Sequence, residues 1–196
     1  MKRNIIVLAV TLIALATLMA ITGCGDNACP GGACVTSDGG APTDFVARSI
    51  RFVPDKEEGN GNLRLVLAST EPERNTLSLK LVGDGFWAFG VTGRLTFDPK
   101  MVRVTGAEAG GALSRDGTRV VAAAAPTNEG AMFGFSRAGV RTAVSLSPSV
   151  GIGTLSFQVT KPGTTRIEWA PSRCKVYDAD LKPQEPRCLG GTLIVE

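Results

Sequence analysis

The chain has 196 residues and a formal net charge of +3, with 21 Lys and Arg against 18 Asp and Glu. These charges are scattered rather than gathered into a basic block, which argues against a nucleic-acid partner. The sequence contains no histidine, so Ser-His-Asp and Cys-His catalytic arrangements and His-ligated metal sites are excluded.

The first 24 residues have the layout of a bacterial export signal. Lys2 and Arg3 precede an uncharged apolar run from Ile5 to Ile21, and Thr22-Gly23 places small side chains directly before Cys24. The end of this segment resembles the lipobox of bacterial lipoproteins. That resemblance implies a signal peptide over residues 1–23 and a mature chain that begins with a lipidated Cys24.

Lipidation at Cys24 predicts a protein held at the bacterial cell envelope by acyl chains. The length of the apolar run leaves an uncleaved membrane anchor as an alternative, and soluble secretion as another. Gly25 stands where an aspartate signals inner-membrane retention in enterobacteria. The outer membrane is therefore favoured over the inner membrane.

Four further cysteines follow, and an even number in an oxidising compartment predicts two disulfides. Four cysteines allow three connectivities, and the spacing favours the near-neighbour pairs Cys29–Cys34 and Cys174–Cys188. Free thiols at Cys29 and Cys34 are the alternative for the first pair. The spacing lacks the CxxC pairs of a structural zinc site, so neither a metal nor a cofactor is expected.

The composition divides the exported chain into three parts. Residues 24–44 are rich in Gly, Pro, Ser and Asp and predict a flexible tether after the signal helix. Residues 45–62 are mixed and predict an irregular segment or a short strand. Residues 63–196 form the main domain.

In the main domain, apolar residues alternate with polar ones, which predicts strands with one buried face. There is no convincing long helix, and about nine antiparallel strands of this kind require two packed sheets. The fold class is therefore an all-β antiparallel sandwich of jelly-roll or immunoglobulin-like topology. The predicted strands begin near Leu63, Leu77, Val91 and Leu155, or lie at Met101–Ala109, Arg119–Ala125, Ala131–Ala138, Ile167–Trp169 and Gly191–Glu196.

Three stretches in order resemble the cohesin-like family of bacterial β-sandwich modules. Gly93–Val104 is similar to the cohesin strand that ends in an aromatic-Asp-Pro turn, Ile152–Val159 to its Gly-x-Leu-x-Phe strand, and Gly190–Val195 to its closing strand. The resemblance implies a nine-stranded jelly roll that binds proteins, such as dockerin modules, or that sits beside carbohydrate-binding modules. The insertion between Cys174 and Cys188 departs from the usual cohesin pattern.

The densest aromatic cluster is Phe86-Trp87-Ala88-Phe89, between two glycines. Strand alternation puts Phe86 and Ala88 on one side and Trp87 and Phe89 on the other. The cluster is a candidate ligand-binding site, as a stacking platform for a sugar or an anchor for a partner protein. Filling of the core at a strand start is the alternative.

No pair of carboxylates stands out as the acid and base of a hydrolase, and we expect no catalytic residues and no enzyme activity. The leading hypothesis is a lipid-anchored, non-catalytic envelope module that binds a protein, either a dockerin-type module or an envelope partner. A carbohydrate-binding module and a structural envelope lipoprotein are the alternatives. The membrane, reached through the N-terminal lipid, is the other expected partner.

Overall fold

The structure, a computed structural model, describes residues 45–56 and 61–196. These residues form fourteen β-strands and one turn of 3-10 helix at Pro72–Arg74, and none of their helices is long and apolar enough to cross a membrane. The strands are β1 (Ile50–Pro54), β2 (Asn62–Glu71), β3 (Thr76–Gly83), β4 (Trp87–Ala88), β5 (Gly90–Thr96), β6 (Val102–Ala109), β7 (Val120–Thr127), β8 (Gly130–Arg137), β9 (Val144–Ser145), β10 (Val150–Val159), β11 (Gly163–Tyr177), β12 (Pro183–Gln184), β13 (Arg187–Leu189) and β14 (Gly191–Val195).

Two sheets contain nearly all of these strands. The larger sheet has the order β1-β14-β11-β5-β8-β7, and β12 pairs with β11 beside this path. The smaller sheet has the order β13-β2-β3-β10-β6, while β4 and β9 form a separate two-stranded ribbon. The pairings are antiparallel except that of β13 with β2. The all-β sandwich predicted from the sequence is confirmed.

The core lies between the sheets and is built by the alternation seen in the sequence. In β3, Leu77, Leu79 and Leu81 are buried, whereas Lys80 between them is exposed. Burial of each such leucine contributes about 1.5–3 kcal/mol. The larger sheet adds buried residues of its own to the same cluster, among them Val91, Leu95, Phe133 and Phe135.

The aromatic-Asp-Pro turn after β5 closes through the side chain of Asp98. Its Oδ1 accepts a hydrogen bond from the backbone N–H of Lys100 at 2.8 Å, and its carbonyl accepts one from Met101 at 3.0 Å. The Lys100 N–H lowers the pKa of the Asp98 carboxyl. Phe97, directly before the turn, packs edge-on against Phe157, with 5.9 Å between ring centroids.

A buried arginine forms hydrogen bonds with residues of the loops on either side of strands β7 and β8. The guanidinium of Arg137, at the end of β8, is fully buried and donates from Nη2 to Asp116, to Thr118 at 3.0 Å and to Thr142 at 3.2 Å. Hydrogen bonds from Thr118 and Arg137 lower the pKa of Asp116 to about 2. A buried cation needs such partners because its desolvation is costly.

The strand pattern of the sequence needs two corrections. Leu67 continues the alternation of Leu63 and Leu65 and pairs with buried Leu79, but it is 44% exposed, and the register against β3 shifts directly after it, between Leu67 and Ser69. The sandwich also begins before residue 63. Residues Ile50–Pro54 pair with β14 along their full length, so part of the segment 45–62 belongs to the larger sheet.

The structure contains a disulfide between Cys174 and Cys188, with 6.5 Å between their Cα atoms. Cys174 belongs to β11 in the larger sheet, opposite Gly93, and Cys188 belongs to β13 in the smaller sheet, opposite Leu63. The bond therefore joins the two sheets covalently. The predicted Cys29–Cys34 pair and the lipidation site Cys24 lie outside the described residues.

Replacing both Cys174 and Cys188 by serine should lower the free energy of unfolding by about 3 kcal/mol, because the disulfide closes a loop of about 15 residues. Urea denaturation of the two proteins under oxidising conditions measures the difference. A reducing agent should destabilise the wild type and leave the double variant unchanged. Equal unfolding free energies for the two proteins would contradict a stabilising role for the bond.

Candidate functional site

The aromatic cluster after β3 presents one of its three rings to solvent. Trp87 in β4 is 64% exposed, whereas Phe86 and Phe89 are half-buried. Ala88 is fully buried, and Phe86 packs against the hydrophobic core. Trp87 and Ala88 therefore face opposite sides of the strand, as alternation along a strand requires. The structure therefore leaves Trp87 free to contact a ligand.

The backbone that carries Trp87 is held by hydrogen bonds to several elements. The carbonyl of Phe86 accepts from the N–H of Leu146 at 2.7 Å, and the N–H of Phe89 donates to the carbonyl of Tyr177 at 2.7 Å. The Gln184 side-chain amide donates to the Trp87 carbonyl at 3.4 Å. Trp87 is thus an exposed ring on an ordered backbone, which limits the entropy lost when a ligand binds.

A second candidate site lies on the outer face of the larger sheet. Strands β7, β8, β5 and β11 form a shallow groove there, with a volume of about 640 Å³. We call this feature the outer groove. Small residues line it on these strands, namely Thr92, Ala123, Ala125 and Gly134. Met132, opposite Ala125 in the sheet, is 53% exposed and adds an apolar contact surface.

The β11 side of the outer groove is basic. Between Trp169 and Cys174 the register of β11 shifts against β5, so that Ser172 and Arg173 leave the ladder and line the groove. Ser172 has φ of +55° at this point, a left-handed conformation that is uncommon outside glycine. Lys175 follows on the same strand and also lines the groove.

Two of the groove cations pair with carboxylates at its margin. Arg94 Nη2 lies 2.8 Å from Glu129 Oε2, and Lys175 Nζ contacts Glu185 Oε1. The side chains of Glu129 and Glu185 are 70% and 71% exposed. The hydrogen bond from Lys175 lowers the pKa of Glu185. Since these carboxylates are well solvated, each pair is worth little and can be exchanged for another partner.

The acidic residues of the turn after β11 have a structural role. Among the described residues, no group of three or more Cys, Asp and Glu is placed to hold a metal ion. Asp178 Oδ1 instead accepts the backbone N–H groups of Asp180 and Lys182, each at 2.9 Å. This carboxylate therefore closes the turn after β11.

Sequence reasoning identified the Trp87 cluster but missed the outer groove. The aromatic run stands out along the chain, whereas the groove combines small residues from four strands with no shared motif. One signal was present. The segment Val121–Ala125 has five uncharged residues in a row, and in β7 its odd-numbered members are the exposed ones.

No family model and no curated protein matches this sequence. Solved structures of cohesin modules do match in fold. A cohesin module of a family 33 glycoside hydrolase from Clostridium perfringens has a TM-score of 0.50 at 6% identity, covering 69% of this chain and 96% of that one. A cohesin in the CaDoc0917–CaCohA2 complex has a TM-score of 0.50 at 12% identity, covering 76% of this chain and 100% of that one.

A third similar structure is the third cohesin of ScaC in complex with the ScaB dockerin, from Acetivibrio cellulolyticus. Its TM-score is 0.49 at 15% identity, with 61% of this chain and 87% of that chain covered. At the identities of the first two structures, the likeness is one of fold. The main domain of this chain is a cohesin-like β-sandwich.

Proposed function

We propose that this protein is a lipid-anchored, non-catalytic module of the bacterial cell envelope that binds a partner protein through its outer groove. The observation that carries the proposal is the outer face of β7, β8, β5 and β11, where small uncharged side chains form a groove of about 640 Å³. A similar cohesin structure comes from the CaDoc0917–CaCohA2 complex. A dockerin-type module is therefore the first partner to test, and an envelope protein is the second.

The composition of the outer groove suits a protein partner. The exposed residues Val121, Ala123 and Ala125 of β7, together with exposed Met132 of β8, give an apolar patch on a regular sheet. Contiguous exposed apolar surface on a soluble domain commonly marks an interaction site. The centres of protein interfaces are depleted in charge and surrounded by polar residues, and Arg173 and Lys175 lie on β11, at the opposite side of the groove from the apolar residues of β7.

Anchoring is proposed from the sequence alone. The apolar run that ends before Cys24 favours export and lipidation, and the Gly- and Pro-rich residues 24–44 give a tether of sufficient length to separate the sandwich from a membrane. The outer membrane is the proposed location. A tethered binding module fits this arrangement because its partner can approach from solution.

Ala123→Arg should abolish binding of a partner to the outer groove, because a long charged side chain would project into the groove from an exposed position of β7. Isothermal titration against a panel of dockerin-type modules and purified envelope proteins measures the effect, with an expected loss of about 100-fold or more. Thermal unfolding of the variant verifies that the sandwich is intact.

Leu67→Arg is the matched control for Ala123→Arg, since it adds the same group at an exposed position of β2 in the smaller sheet. It should leave the affinity unchanged. A partner that binds the Ala123→Arg variant as tightly as the wild type would exclude the outer groove. A panel in which no module binds the wild type would reject the dockerin form of the proposal.

Cys24→Ser should prevent lipid attachment, because serine lacks the thiol that the acyl chain modifies. Incorporation of labelled palmitate in cells reports the modification, and fractionation shows whether the protein leaves the membrane fraction. Cys29→Ser is the control, and it should retain the label. Equal palmitate incorporation in Cys24→Ser and wild type would contradict anchoring at this residue.

A carbohydrate-binding module is the second candidate, and the exposure of Trp87 favours it. An exposed indole can stack on the apolar face of a sugar ring. Trp87→Ala should then lower retention on insoluble polysaccharide by roughly tenfold, since such aromatic contacts contribute about 0.5–1.5 kcal/mol beyond buried area.

Pull-down affinity for the wild type and Trp87→Ala measures the contribution of the indole. Val53→Ala, which trims another exposed apolar residue on β1, is the control and should have no effect. Retention that is the same in all three proteins would remove Trp87 from any sugar-binding role.

A further inference from the structure

We propose that the partner of the outer groove presents an acidic amphipathic helix, whose small apolar residues lie on the groove surface and whose carboxylates contact Arg94, Arg173 and Lys175. This inference rests on the proposed protein-binding function and adds the chemistry of the partner. It is carried by the charge and the shape of the groove.

The charge of the groove has one sign. Arg94, Arg173 and Lys175 line it, and none of the described residues that line it carries a carboxylate. Facing surfaces in protein complexes have complementary potentials, which raise the association rate and disfavour wrong partners. The groove therefore selects for negative charge on whatever covers it.

Arg173 is the cation most open to a new partner. Its side chain is exposed, and within the described residues it takes part in no hydrogen bond or ion pair. The register shift in β11 moves it out of the strand ladder and towards the groove. A carboxylate placed above it would form an ion pair without first displacing another acid.

Arg94 also has bonding capacity that its present partner does not use. Its Nη2 donates to Glu129, but its Nε–H is buried and has no acceptor in the described structure. A buried donor without an acceptor costs free energy. The Arg94 side chain as a whole is 33% exposed, so a partner carboxylate can contact the exposed part of its guanidinium, whereas a partner lysine would be repelled.

The shape of the groove fits a helix. Four adjacent strands span three spacings of ~4.8 Å, or roughly 14 Å, and a helix with its side chains is about 10–12 Å across. The small residues Thr92, Ala123, Ala125 and Gly134 allow its backbone to approach closely. Strands β8 and β5 are each paired with a strand on both sides. Their backbone edges are therefore occupied, and a partner can contact only the side chains on their outward faces.

The test uses two synthetic helices of about 20 residues, each with a stripe of Ala and Leu. One stripe is flanked by Glu and the other by Lys, and an unstructured Gly/Ser peptide with the same number of Glu residues is the third probe. Binding is measured by fluorescence anisotropy at low ionic strength and again at about 1 M salt, where the Debye length is about 3 Å.

The wild type should bind the Glu helix at least about tenfold more tightly than the Lys helix, and high salt should reduce this preference. The unstructured acidic peptide should bind more weakly, since it must be ordered on binding. Arg173→Glu combined with Lys175→Glu should reverse the preference. Because Lys175 pairs with Glu185, the single Arg173→Glu variant repeats the test in case the double variant unfolds.

Each other outcome rejects the inference in a distinguishable way. If binding is lost in Ala123→Arg but the two helices bind alike, the groove binds proteins without selecting acidic ones, and the proposed function stands. If the unstructured acidic peptide binds as tightly as the Glu helix, the site recognises polyanions and not a helix. If neither helix binds, the acidic helix is rejected, while the panel of modules still decides the protein-binding function.

Discussion

The disulfide between Cys174 and Cys188 fixes the place where the larger sheet meets the smaller one. Cys174 comes at the point where β11 re-enters register with β5 after four residues outside the ladder. The disulfide adds a covalent constraint at the residue where backbone pairing with β5 resumes. The bond and the surrounding core together hold Arg173 and Lys175 at the edge of the outer groove. The position of the basic side of the outer groove thus depends in part on the disulfide that joins β11 to the smaller sheet.

The same alternation builds the core and the outer groove. In β8, Phe133 and Phe135 face inwards while Met132 and Gly134 face out, and β5 repeats the pattern with Gly93 facing in. A Cβ at Gly93 would lie 2.6 Å from the Phe133 ring, so a side chain there would push against the aromatic layer. The large aromatic residues on the inner face of the sheet leave room only for glycine at position 93. The small residues on the outer face produce the groove. Substitutions at the inward-facing positions of these strands should therefore affect stability, and those at the outward-facing positions should affect binding.

The sequence predicted the regular strands because their burial is local and periodic. Strands β3 and β5 begin within one residue of the start that period-two alternation indicated, and β10 contains the alternating residues Leu155–Val159 but begins earlier, at Val150. The two-residue strands β4, β9 and β12 were not predicted. Each is defined by backbone pairing with a strand that is distant in the sequence, and two residues are too few to show an alternating pattern. The exposure of Leu67 was also not predicted, because this residue continues the local alternation and the register of β2 against β3 changes only after it. The alternation placed Trp87 and Ala88 on opposite sides but left open which of them faces solvent, and the outer groove could not be predicted because it exists only once four strands are assembled.

The two candidate surfaces are connected through one residue of β11. The side chain of Tyr177 lines the outer groove, and its carbonyl accepts the N–H of Phe89, two residues after Trp87. A protein that covers the groove up to Tyr177 would come close to the backbone that carries the indole, so loss of binding in a Trp87 variant alone would not tell a sugar from a protein. The charges do tell them apart. A neutral sugar ring stacked on Trp87 has no need of Arg173, whereas a partner seated along the groove meets it, so salt dependence identifies which class of ligand the sandwich binds.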